Sequence, residues 1–153
     1  MNSKPLYKID TFQDGLYHFF ESVSDNVITQ KVVAFRQSEE DDLIYSLVFG
    51  NVGDNGEIDV YSTNNSNENM ETILGTVIST IEIFFKYHPD KIITFTGSTP
   101  SRTRLYRAVI GKFVDEKDFS YNIYGISNDR EVESFQKHKS YIGYFIQKKD
   151  ENS

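Results

Sequence analysis

The stretch ITFTGSTPSRTRLYR, Ile93 to Arg107, leads an apolar segment into a turn of small residues and then places Arg102, Arg104 and Arg107 close together. The chemistry open to such a pattern is anion binding. A helix that starts in this turn presents unpaired N–H groups and the positive end of its dipole, and both stabilise negative charge. Gly97, Ser98, Thr99, Ser101, Arg102, Thr103, Arg104 and Arg107 are the candidate ligand-binding residues. Arginines at a helix start oppose the dipole, so they cost stability unless something negative is held nearby. On a helical wheel Arg102 shares a face with Leu105, Tyr106 and Val109, whereas Arg104 and Arg107 point outward as neighbours. A guanidinium turned toward a core needs a partner. Two partners stay open: an internal carboxylate such as Asp54, Glu57 or Asp59, or an external phosphate or carboxylate held together with the turn.

The rest of the composition narrows the classes. The chain has 153 residues, 23 acidic against 16 basic, with a net charge of −7. Such a balance repels nucleic-acid backbones and makes nucleic acid an unlikely partner. That reading ranks third, through the same arginines with stacking on Tyr121, Tyr124, Tyr141 or Tyr144. Cysteine is absent, which excludes disulfides and thiolate chemistry. His18, His88 and His138 lie far apart without ligand spacing, so no metal is expected. The opening MNSKPLYKID lacks the apolar core of a signal peptide, and no apolar run approaches a bilayer's thickness. The expectation is a cytoplasmic protein with no membrane partner, a single domain over residues 1–153 with residues 1–6 and 149–153 frayed.

The elements that must position the arginines follow from periodicity. Alternation predicts strands over 16–23, 27–37, 43–50 and 57–62, joined by short turns in an antiparallel meander. Met70, Ile73, Leu74, Val77, Ile78, Ile81, Phe84 and Phe85 then recur at helical spacing and predict a helix over 68–87, capped by Ser66 or Asn67 and stopped by Pro89. Gly75 falls on its opposite face. The run KIITFT, 91–96, predicts a central strand buried on both sides. A second helix starts at Ser98 or Thr99 with Pro100 in its first position, and buries Leu105, Tyr106, Val109, Ile110 and Phe113. Strands over 119–126 and 140–148 follow, joined by a polar segment with room for a helical turn. The fold class is α+β: an antiparallel-rich mixed central sheet of about seven strands with two main helices.

GSTPSRTRLYR, with the preceding TILGTVISTIEIFFKYHPDKIITF, resembles the signature of a family of small, uncharacterised bacterial proteins of the Bacteroidota type, a domain of unknown function. The resemblance spans nearly the whole chain, implies a cytoplasmic single-domain protein and supplies no activity. More loosely, the order of strands and helices is similar to that of the GCN5-related N-acetyltransferases, and RLYRAVIGKF resembles that family's LYEKLGF segment. This second likeness implies an N-acyltransferase in which Tyr106 protonates the leaving thiolate of coenzyme A, with Glu57 or Asp59 as base. It also implies acetyl-coenzyme A, or a nucleotide, as the ligand. That family's pyrophosphate loop has no counterpart in STNNSNENMETILG, and Lys112 separates Gly111 from Phe113 where the family has glycine and phenylalanine adjacent. The first expectation is therefore binding of a phosphate-bearing small molecule at the turn 97–104. The alternative is a non-catalytic interaction or regulatory module that meets an acidic protein surface.

Overall fold

The structure, a computed structural model, describes residues 6–59, 69–96, 100–117 and 119–149. Among them are nine strands and two helices: β1 Asp10–Phe12, β2 Tyr17–Ser24, β3 Val27–Gln37, β4 Ile44–Val52, β5 Ile58–Asp59, α1 Met70–Tyr87, β6 Ile92–Thr96, α2 Pro100–Lys117, β7 Tyr121–Ile126, β8 Val132–Ser134 and β9 Gly143–Lys148. The class is α+β with mixed pairing. Contacts gather into two compact units, residues 1–36 with 48–87, and residues 37–47 with 88–153.

In the first unit β2 pairs antiparallel with β1 and β3, and β5 pairs antiparallel with the end of β4. Tight turns explain the two hairpins. Asp25 and Asn26, both at positive φ, close β2 onto β3 in the two-residue form whose twist suits paired strands. Gln13, Asp14 and Gly15 close β1 onto β2 with positive φ throughout. Gly15 also lies against Tyr87 and the backbone of Phe84, where a Cβ would meet the Tyr87 ring at 3.0 Å. One face of this sheet carries His18, Phe20, Lys31, Val33 and Phe35, all buried. Phe35 meets Phe84 of α1 with ring centroids 4.6 Å apart. Helix α1 follows the expected stripe, with Ile73, Val77, Ile78, Ile81, Phe84 and Phe85 buried, although Met70 is exposed. Its cap is Asn69, whose side-chain oxygen accepts the Thr72 N–H at 3.2 Å, where Ser66 or Asn67 was expected; those two residues lie outside the described ones.

The second unit is ordered β4-β6-β9-β7-β8. The start of β4 pairs parallel with β6, and every other pairing here is antiparallel. Helix α2 buries Tyr106, Val109, Ile110 and Phe113 as its spacing requires. Phe95 of β6, Tyr144 of β9 and Tyr121 of β7 are buried as well, with Phe95 against Tyr106 at 5.2 Å and Phe113 against Tyr121 at 4.9 Å. Two expectations need correction. β6 is not buried on both sides: Ile93 and Phe95 are covered while Ile92 and Thr94 are half-buried. The polar segment after β7 holds a strand, β8, because its backbone pairs with the free edge of β7.

Gly125 of β7 lies under the Tyr141 ring, whose nearest carbon is 2.4 Å from where a Cβ would stand. Gly125→Val should therefore cost about 1–3 kcal/mol through overpacking, read as a lower urea midpoint. His18 generates a pH dependence. Its Nε2–H donates to the Gly15 carbonyl at 2.6 Å and its Nδ1 accepts from the Thr11 hydroxyl at 3.0 Å, the pattern of a neutral ring. Burial pushes its pKa below the usual value of 6.5, against a smaller opposing pull from the Gly15 hydrogen bond. The unfolded chain then binds this proton more readily than the folded one. Stability tied to neutral His18 is complete above about pH 6.5 and is lost as pH falls from there through the lowered folded value. Urea midpoints measured from about pH 7.5 to 5.5 should fall by a component that His18→Gln lacks.

Candidate anion site

Strand β6 delivers the chain to the turn that opens α2. Because Tyr106, Val109, Ile110 and Phe113 face the strands, the helix turns Arg104 and Arg107 outward, and both are exposed. Thr103 is half-buried beside them. The first turn of α2 carries no acidic residue. Farther along the helix the charges are paired: Lys112 with Glu116 at 3.0 Å, and Asp115 with Lys137 at 2.6 Å. Arg104 and Arg107 differ, since among the described residues neither makes an ion pair or hydrogen bond. Gly97, Ser98 and Thr99 lie outside the described residues, as do the side chains of Asp59, Ser101 and Arg102.

The same unit holds a group that the arginine pattern did not point to. Tyr144 is 3% exposed, and its hydroxyl makes no hydrogen bond among the described residues. Burial raises its pKa, and the charge of Arg107 pulls the other way. Sequence reading treated Tyr144 as a stacking candidate only. Its place depends on the register Phe95↔Tyr144 between β6 and β9, which no local pattern announces. Tyr141 contrasts with it: its hydroxyl donates to Glu133 at 2.9 Å and accepts the Gln136 N–H at 3.0 Å. Lys139 and Tyr141 together hold the Glu133 carboxyl below its usual range.

The other named residues are placed as follows. Tyr106 is 5% exposed and packs on Phe95, in the second unit. Glu57 is exposed and precedes β5, which contains Asp59; both belong to the first unit. Of the tyrosines considered for base stacking, Tyr121, Tyr141 and Tyr144 are buried in the aromatic layer, and Tyr124 is half-buried. Among the described residues no helix is long and apolar enough to cross a membrane.

Residues 3–149 match DUF6934, described as a family of unknown function. The chain belongs to DUF6934. Comparison of this DUF6934 chain with curated proteins and with solved structures returns no match.

The two tyrosines should respond differently to loss of their hydroxyls. Tyr144→Phe removes a hydroxyl without a hydrogen-bond partner among the described residues and should change folding stability by less than about 0.5 kcal/mol. Tyr141→Phe strips a partner from Glu133 and from the Gln136 amide, and should lower the urea midpoint clearly more than Tyr144→Phe does.

Proposed function

We propose that this DUF6934 protein binds a phosphate-bearing small molecule, an acyl-coenzyme A or a nucleotide, at the start of α2. The carrying observation is that Arg104 and Arg107, exposed near the start of a helix with no acidic residue in its first turn, make no ion pair among the described residues. The chain has 23 acidic side chains, so carboxylate partners are not scarce. Tyr144, on the neighbouring strand β9, carries a hydroxyl without a hydrogen bond among the described residues, a donor of the kind that phosphate oxygens accept. Ser98, Thr99, Ser101, Arg102 and Thr103 complete the proposed contact set. The N-acyltransferase version adds Tyr106 as acid, on the resemblance of RLYRAVIGKF to the GCN5-related segment.

A second reading, a non-catalytic module that docks on an acidic protein surface, draws on Phe119 beside the same unit's strands, 74% exposed, together with the two unpaired arginines. Thermal unfolding with coenzyme A, acetyl-coenzyme A, ATP and pyrophosphate separates the two readings. A phosphate-bearing compound should raise Tm, with affinity reduced about tenfold by Arg104→Ala or Arg107→Ala. No rise with any of these compounds would overturn the small-molecule reading and leave the protein partner.

A further inference from the structure

The first unit contains a cleft of about 520 Å³ on the sheet face opposite the one that carries His18, Phe20 and Phe35. The alternation of β-strand side chains puts it there. Phe19 stands opposite Val32 across β2 and β3, and Val52 stands opposite Ile58 across β4 and β5, so these residues form an apolar lining. Tyr17, Gly56, Arg36 and Glu57 complete the cleft, and Arg36 and Glu57 are exposed. The volume lies within the usual range of small-molecule sites, about 300–1,000 Å³.

The charges of these two residues are unspent. Glu57 serves the approach to β5 with its main chain alone: its N–H donates to the Asn55 side chain at 3.1 Å and its carbonyl accepts from Gly53 at 2.7 Å. Its carboxylate makes no ion pair or hydrogen bond among the described residues, and neither does the Arg36 guanidinium. One cation and one anion thus share a cleft of mixed polar and apolar lining without pairing with each other. A ligand with a single charge would engage only one of them.

We propose that this cleft binds a small zwitterion with an apolar body, of the class of free apolar amino acids. Arg36 pairs with the ligand's carboxylate, Glu57 with its ammonium group, and the body covers Phe19, Val32, Val52 and Ile58. This site is separate from the phosphate site proposed at α2 and uses none of its arginines.

The test is a titration of the full chain, followed by amide NMR shifts, with three probes that share one body: free L-phenylalanine, 3-phenylpropionate without the amine, and phenethylamine without the carboxylate. The zwitterion should bind about tenfold more tightly than either analogue, with shifts centred on Phe19, Val32 and Ile58. Arg36→Gln should erase its advantage over phenethylamine, and Glu57→Gln its advantage over 3-phenylpropionate. Both side chains are exposed, so both variants should keep the wild-type spectrum away from the cleft. Equal binding of all three probes, or no cleft shifts at millimolar concentration, would overturn the proposal.

Discussion

Each unit depends on burying one helical face against strands through aromatic rings. In the first, Phe84 of α1 meets Phe35 of β3 at 4.6 Å. In the second, Tyr106 and Phe113 of α2 meet Phe95 at 5.2 Å and Tyr121 at 4.9 Å. Each such ring contributes roughly 1.5–3 kcal/mol by leaving water, and the contact geometry adds specificity. With one face of α2 committed in this way, the helical period leaves no choice about where Arg104 and Arg107 point.

The buried face of the first unit is not purely apolar, and its polar groups are matched one by one. Lys31, 3% exposed, donates to the Asn51 side chain at 2.6 Å and lies 5.8 Å from the centre of the Phe49 ring. Thr76 and Thr80 of α1 are fully buried and return their hydroxyls to the Thr72 and Val77 carbonyls. Thr76 also accepts the Tyr7 N–H at 3.1 Å, which ties the N-terminal segment to the helix. The Ser22 hydroxyl is the exception, buried without a partner among the described residues. A buried ammonium and a neutral histidine are tolerated here because specific acceptors replace the water they lose.

Charge is distributed against the overall balance of the protein. A chain with a net charge of −7 pairs the later charges of α2 and leaves its early arginines without carboxylates among the described residues. The first unit shows a similar economy at Arg36 and Glu57, which line one cleft without pairing. Exposed, unpaired charges keep most of their hydration, so leaving them free costs little, and they remain available to a ligand.

The amino-acid order alone determined both helices and most strands, since periods of 3.6 and 2 are written in local side-chain spacing; Ile73 to Phe85 and Tyr106 to Phe113 are clear cases. It also singled out Arg104 and Arg107, because composition and position along one helix suffice for that. Tertiary pairing decided the remainder. The cap at Asn69 depends on which side chain reaches the Thr72 amide. β8 exists because β7 had an edge to fill, and Tyr144 stands opposite Phe95 only through the register of β9 on β6. The cleft at Phe19, Arg36 and Glu57 assembles residues from separate strands. Such juxtapositions arise from long-range strand register, in which a shift of one residue reverses every face, and short-range patterns carry no record of it.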